Sequence, residues 1–414
     1  MARAELVAAP PERLVLLLPD PHARFAAVEL SGEFVADTVL DAGYGACTYL
    51  LAWDVERAAV DVPALERFLG GYGDLVLRPD LAALRPPYVV CDAWWPDGRP
   101  VDVAPRTVLR AALAAAEELG LVPSVGIEHE FVVTDAAGSP LTGHGLDYAL
   151  GGTERLAPLL DDLRVALRGF GVESARGECH PGQYEIVPRH RDALAACDDA
   201  LLVQHLVRAT AHRHGARATY LAAPATGQGN SGHVHLSLSA VDGGPLGGTG
   251  REPSAVLAAF LAGVLRAAGD LTAVFAPTVN SYVRLRTSPF SPRLVRWGVD
   301  DRTAAVRLAG RDESLRLECR FAGADAQPHL VVAAILAAGL AGVRERATPP
   351  PPGEVVDELA ATPWRALERW ASGRPAALLG EAVVAHQAAL LAAELDAACD
   401  AVTDWQRHRA ALRT

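Results

Sequence analysis

Cysteine is sparse and badly placed for either disulfides or zinc. The six residues Cys47, Cys91, Cys179, Cys197, Cys319 and Cys399 are scattered over 414 positions without a Cys-x-x-Cys pair. That spacing excludes a disulfide framework and a thiolate zinc site, and it fits a reducing compartment. Basic charge is short too, with 38 Lys and Arg against 50 Asp and Glu and a formal net charge of −12. A nucleic-acid-binding face is not expected, because phosphate backbones call for basic patches. The chain is 50% hydrophobic, but its Ala, Leu and Val are spread out, and no uninterrupted apolar run is long enough to cross a bilayer. Nor does the stretch from Met1 to Pro21 combine a basic start, an apolar centre and a small-residue cleavage site, so no secretory signal is expected. What remains is a cytoplasmic protein with neither membrane nor nucleic acid as partner, of a length that suits two or three domains.

Carboxylates are what the chain has in pattern. Gly126-Ile127-Glu128-His129-Glu130-Phe131 alternates acidic and apolar residues, as do Glu178-Cys179-His180-Pro181-Gly182-Gln183-Tyr184-Glu185 and Arg316-Leu317-Glu318-Cys319-Arg320. An extended chain sends side chains i and i+2 to one side, so Glu128, Glu130, Glu178, Glu185 and Glu318 are expected to converge on one cavity. Crowded carboxylates repel and lose hydration unless cations compensate, which points to bound divalent metal. Cys179 and Cys319, inside these stretches, read as small packed hydrophobes.

Gly232-His233-Val234-His235-Leu236-Ser237 places two imidazoles and a hydroxyl on one strand face. Its entry, Gly227-Gln228-Gly229-Asn230-Ser231, lets backbone N–H groups approach an anion closely. Paired imidazoles there suit a metal or phosphate role. Arg284, Arg302, Arg307, Arg316 and Arg320 supply planar forks for carboxylate and phosphate oxygens. Divalent ions, carboxylates and arginines together suit phosphoryl transfer, where positioning and charge neutralisation provide most of the catalysis.

Residues 13–95 read as short strands at 14–18, 26–30, 48–53 and 74–77, punctuated by Gly43, Gly45, Gly70, Gly71 and Gly73. Pro86-Pro87 and the run from Pro96 to Pro105 break the pattern, so a β-rich domain over 1–98 and a second domain over 99–414 are expected. Beyond Pro105 helices alternate with polar-faced strands: a helix over 106–119 capped by Gly120, strand 124–133, helix 154–169, strand 183–188, helix 191–214, strand 232–239, and helices near 252–268 and 328–345. Pro349 to Pro352 form a stiff spacer, and an amphipathic helix is expected over 378–403.

The order and spacing of these pieces resemble glutamine synthetase and its amine-ligase relatives. The matching segments are Gly71-Tyr72-Gly73-Asp74-Leu75-Val76-Leu77-Arg78-Pro79-Asp80 with Leu84-Arg85, Gly126-x-Glu128-x-Glu130-Phe131, and Glu178 ahead of Pro181-Gly182-Gln183-x-Glu185. Then come Gly229-x-Ser231-x-His233-x-His235-x-Ser237, Asn280-Ser281-Tyr282-x-Arg284-Leu285, Asp301-Arg302-Thr303 to Arg307, Arg316-x-Glu318-x-Arg320 and Val402-Thr403-Asp404-Trp405. The resemblance implies an α+β fold, with a small β-grasp-like N-terminal domain and a catalytic domain whose antiparallel strands form a partial barrel. It also implies a homo-oligomer, a double-ring dodecamer in which a neighbour's N-terminal domain completes each site. Carried over, Glu130, Glu178 and Glu185 would hold one ion and Glu128, His233 and Glu318 a second, with two or three Mg²⁺ or Mn²⁺ in all. His235, Ser237, Arg302, Arg307 and Arg316 would contact ATP, while Gly229, Arg284 and Arg320 would hold a glutamate-like acid. Arg302 and Glu318 would be catalytic. ATP would convert the side-chain carboxylate to an acyl phosphate, which an amine then attacks.

Departures from the family pattern bear on that amine. Where a Glu normally sits in the loop after Asn-Ser-Tyr-x-Arg this chain has Phe290, and Gly43-Tyr44-Gly45-Ala46-Cys47-Thr48 lacks the Asp a neighbour normally contributes. Losing two acids that trap ammonium favours an organic amine, held by apolar or cation–π contact, and Leu50-Leu51-Ala52-Trp53-Asp54 also looks like the amine-ligating branches. Ala223, Asp301 and Ala322-Gly323 replace the usual Lys, Asn and Pro-Asp. The expected activity is an ATP-dependent ligase of a glutamate-like γ-carboxylate and an organic amine; an ammonium-using glutamine synthetase and a noncatalytic scaffold or regulatory ring are the alternatives.

Overall fold

Residues 3–65, 71 and 73–411 are described by the computed structural model; Gly70 and Tyr72, read above as a turn signal and as part of a motif, lie outside the described residues. Two sheets organise the chain. The first contains β1 (Arg13–Pro19), β2 (Phe25–Ser31), β3 (Tyr44–Cys47), β4 (Asp74–Arg85) and β5 (Tyr88–Trp94) in the order β2-β1-β5-β4-β3. β1 and β5 are parallel neighbours and the other pairs antiparallel. The expected strand over 48–53 is instead a 3₁₀ turn, Thr48–Leu51, that follows β3. Successive residues Leu51 and Ala52 are both fully buried, which a period-2 strand with one wet face does not allow. β5, unforeseen, carries Val89, Val90 and Cys91 buried in succession because it lies inside the sheet.

The second sheet holds the charged segments. Its strands are β6 (Leu121–Thr134), β7 (Val172–Gly177), β8 (Gln183–Pro188), β9 (Arg191–Asp192), β10 (Arg217–Thr219) and β11 (Gly232–Ala240). After a small hairpin, β12 (Gly248–Thr249) with β13 (Glu252–Pro253), and the short β14 (Leu294–Val295), come β15 (Trp297–Val299), β16 (Val306–Ala309) and β17 (Arg316–Cys319). The path runs β15-β16-β17-β11-β6-β8-β7, with β9 and β10 added beside β6. Every neighbour is antiparallel except β15 with β16. The sheet curls into a half-barrel, and the whole is a mixed α+β fold.

One face of this sheet is apolar and carries the helices Pro105–Glu117, Ala193–Arg213, Ala255–Ala267 and Pro328–Arg344. Val125, Ile127, Val234, Leu236 and Leu317 from the strands pack with Phe260, Leu265 and Leu336 in one core. Prolines at the first turn start two of these helices, and the Ser254 and Asp192 side chains cap the other two. Gly263 lets two helices touch: a Cβ there would stand 2.2 Å from the Ala338 carbonyl oxygen.

Two expected helices are broken. The stretch 154–169 is Leu150–Arg155, Ala157–Ala166 and a 3₁₀ turn Arg168–Phe170. The stretch 378–403 divides at Gly380, whose φ of +90° no helix accepts, into Arg374–Leu379 and Glu381–Asp400. The segment Glu381–Ala411 is long and apolar enough to cross a membrane by length and composition, an exception to the sequence expectation. Val383, His386, Leu390, Leu391 and Leu395 are buried, however, with Leu390 in the core of the first sheet and Val383 and Leu391 in that of the second.

A buried cation ties the sheets together. Arg106, 2% exposed, pairs with Asp92 of β5 and Asp80 of β4 at 2.7 Å each and with Asp198 at 3.1 Å. Asp198 in turn accepts from His329 Nε2 at 2.9 Å. Burial raises the Asp80 carboxyl, but the hydrogen bond and charge of Arg106 outweigh it and hold the group below its usual range. Arg106→Met leaves the buried Asp198 without a guanidinium, while Asp80 and Asp92 keep only the half-exposed Arg110 at 2.8 and 2.9 Å, so urea unfolding should show a loss of about 3–5 kcal/mol, whereas a midpoint equal to wild type would contradict this account.

Candidate active site

The polar face of the second sheet lines a cavity of about 720 Å³. Strand register builds it. His233 of β11 lies opposite Glu128 of β6, and Glu130 of β6 lies opposite Glu185 of β8. Glu318 of β17 lies opposite His235 on one side and Arg307 on the other. The side-chain period of two then turns all of these inward while Ile127, Val234 and Leu317 face the helices. His129 between the two glutamates goes the apolar way, packs against Gln204, and is depressed to about 3 by burial.

The carboxylates fall into two groups. Ligand atoms of Glu130, Glu178 and Glu185 lie within 4.8 Å of one another, as do those of Glu128, His235 and Glu318. The sequence expectation put His233 in the second set; His233 Nδ1 stands 3.8 Å from both Glu128 and Glu318, while His235 Nε2 is 3.0 Å from Glu128. Oxygen and imidazole donors in these sets fit Mg²⁺ or Mn²⁺. So does a buried atom that makes no hydrogen bond, Glu185 Oε1, although Arg176 is its ion-pair neighbour; His235 Nε2, whose partner nitrogen accepts from Arg316, carries the imidazole proton and faces Glu128 instead.

Electrostatics separates the groups further. Burial, then the neighbouring charge of Glu128, pushes the Glu185 carboxyl up to about 8, against the pull of Arg176. Burial and Glu130 also raise Glu178. Glu128 and Glu318 go the other way: burial opposes ionisation, but the two neighbouring histidines hold Glu128 far below its usual range, and His233, His235, Arg320 and Arg307 hold Glu318 down. Arg307 Nη1 donates to Glu318 at 2.8 Å, and Arg320 donates to its other oxygen.

The remaining expected residues are placed as follows. Arg316 Nε donates to His235 Nδ1 at 3.2 Å. Arg302 is exposed on the cavity lining, in the turn before β16. Arg284, 2% exposed on the helix Val279–Thr287, donates to the Phe321 and Arg320 carbonyls at 2.9 and 3.4 Å. Burial brings its guanidinium down to about 10. At Gly229 a Cβ would fall 2.8 Å from Ser288 Oγ and 3.2 Å from Arg284 Cγ, so a larger residue would push both side chains aside. Phe290, 59% exposed, lines the cavity with its ring 6.2 Å from that of His180. Ser237 is the exception: it pairs with Ser124 further along β11 and is not among the lining residues.

Sequence reading assigned no role to Gln183, Arg176, Asp147 or Tyr148, all of which line the cavity. Gln183 Nε2 reaches the Gly229 carbonyl at 2.8 Å and Glu130 Oε2 at 3.2 Å. Arg176-x-Glu178 repeats the alternation of Arg316-x-Glu318, a signal that could have found it. Asp147 and Tyr148 sit in an irregular loop without a pattern.

Comparison with known proteins agrees with this geometry. The family described as glutamine synthetase, catalytic domain, matches residues 102–410. Gamma-glutamylethanolamide synthetase GlnA4 of Streptomyces coelicolor is 37% identical over 425 residues, covering 96% of this chain and 92% of that protein. Glutamate–isopropylamine ligase of a Pseudomonas species is 34% identical over 73% of this chain and 72% of its own. A solved structure of apo GmaS without ligand shares the fold at a TM-score of 0.86 and 28% identity over 100% of both chains. The chain belongs to the glutamine synthetase family and is an ATP-dependent carbon–nitrogen ligase.

Proposed function

We propose that the protein joins the γ-carboxylate of glutamate, or of a close analogue, to an organic amine through an acyl phosphate made with ATP. The observation that carries the choice of amine is Phe290 on the cavity lining, 59% exposed, where ammonium-using members of the family place an acid. Relatives named as ligases of ethanolamine-, isopropylamine- and putrescine-type amides support the same choice.

Each part of the cavity has work in this reading. Arg284 and Arg320 clamp the α-carboxylate of the acid, and the tight approach at Gly229 fixes the backbone beside it. Arg302, Arg307 and Arg316 meet the phosphates, with Arg302 next to the charge that develops in flight. Glu130, Glu178 and Glu185 would hold one Mg²⁺ or Mn²⁺ and Glu128, His233 and Glu318 a second, of two or three in all. Held there, the ions would supply positive charge that offsets the charge of the transferred group. The amine arrives protonated, and Asp147, close beside Glu178 and Cys179, is a carboxylate available to take its proton.

In the same reading residues 1–98 and 99–414 act as separate domains, and twelve subunits form a double ring in the cytoplasm. Tyr148 and Phe290, 72% and 59% exposed on the cavity lining, would be covered by a neighbour's N-terminal sheet. Six free cysteines go with a reducing setting. Ammonium as nitrogen donor is the second reading, favoured by the carboxylate of Asp147 at the cavity wall.

Phosphate release that requires ATP and a divalent ion, screened over amines at fixed glutamate, should be faster with at least one alkylamine, alkanolamine or polyamine than with ammonium. Ammonium outpacing them all would sink the organic-amine reading. Phe290→Ala should raise the KM for the preferred amine by about tenfold with little change in kcat, measured by steady-state kinetics. Glu130→Ala should lower turnover by about 1,000-fold or more while subunit assembly on size-exclusion chromatography is unchanged; turnover near wild type would overturn the metal assignment.

A further inference from the structure

Arg176 stands among the carboxylates expected to hold the first ion. β7–β8 pairing sets it directly opposite Glu185, and it precedes Glu178 by two residues on an extended chain, so all three side chains share one face. Its Nε donates to Glu178 Oε1 at 2.8 Å, and its Nη2 lies 2.8 Å from Glu185 Oε1. The guanidinium also sits over the ring of Tyr148, 5.1 Å from its centroid. Glu130 is held by other donors, accepting from the Ser231 backbone N–H at 2.7 Å and from Gln183 at 3.2 Å.

We infer that Arg176 competes with the divalent ion for Glu178 and Glu185, so that it sets how tightly the first ion is held. Both cations draw on the same two carboxylates. An ion coordinates carboxylate oxygen at about 2.0–2.2 Å, and a guanidinium already paired with one oxygen of each carboxylate leaves it fewer lone pairs and sets a like charge close by. The ring of Tyr148 lies against the guanidinium in this same position and helps to hold it there, because an aromatic face attracts a cation. Arg176 is thus a positioning residue: it keeps two repelling carboxylates at coordinating separation and yields them to the stronger cation. The inference rests on the trio being the metal site of the proposed ligase.

Calorimetric titration of the full-length protein with Mn²⁺, without ATP or glutamate, tests it. Arg176→Gln should tighten one class of Mn²⁺ sites by about tenfold, since a charge-assisted hydrogen bond no longer has to be broken. Tyr148→Leu, which removes a contact that steadies the paired guanidinium, should tighten the same sites by a smaller factor, and that gain should vanish when Arg176→Gln is also present, a coupling that a merely structural arginine would not show. Should the glutamine variant not fold, Arg176→Lys, which cannot fork across two carboxylates, should still bind more tightly than wild type. Unchanged or weaker Mn²⁺ binding in a folded variant overturns the inference. Wild-type protein that takes up no Mn²⁺ would instead overturn the metal reading itself.

Discussion

Negative charge crowded onto the polar face of one curled sheet is the constraint that the rest of the chain answers. Glu128, Glu130, Glu178, Glu185 and Glu318 all line one cavity, and carboxylates in such company either protonate or recruit cations. The two ends of the cluster resolve the conflict differently. Around Glu128 and Glu318, imidazoles and the forks of Arg307 and Arg320 are already in place and favour the ionised form. Around Glu178 and Glu185, burial and mutual repulsion dominate and favour the proton, so that end gains most from a doubly charged ion. All the compensation comes from arginine and histidine, for the chain contains no lysine. Planar forks that bridge two carboxylates at once, as Arg176 and Arg106 do, suit a protein whose acids come in groups.

The same solution recurs away from the cavity. Arg106 gathers acids from β4, from β5 and from the helix Ala193–Arg213, and so fastens the first sheet to the helices behind the second. The helix Glu381–Asp400 adds an apolar tie, with Leu390 in one core and Leu391 in the other. Both ties couple the outer sheet to the layer on which the catalytic strands rest.

Much of the site was legible because strands report themselves with a period of two. Glu128 and Glu130, His233 and His235, and Arg316, Glu318 and Arg320 each announce a polar face, and the family motifs supply their order along the chain. What stayed hidden lacked a period. Tyr148 and Asp147 lie in an irregular loop, and their place on the cavity wall comes from the path of the backbone, with Tyr148 at a φ of +56°. Ser237 shared the alternation of His233 and His235 yet fell beyond the cavity, since a shared face does not fix depth along a strand. Helix 378–403 looked continuous because alanine hides a break that Gly380 alone makes. Strand β5 was missed because its apolar run is short and unalternating, a pattern periodicity cannot separate from a buried helix.

Registration of β6, β8, β11 and β17 has an outcome beyond geometry. Their charged and apolar residues alternate so strictly that a slip of one position would thrust glutamates, histidines and arginines into the helical layer and expose leucine and valine in their stead. No half-correct threading of these strands is tolerable. The register that packs the helical layer is therefore the same register that brings these side chains to the cavity, and one cannot be right while the other is wrong.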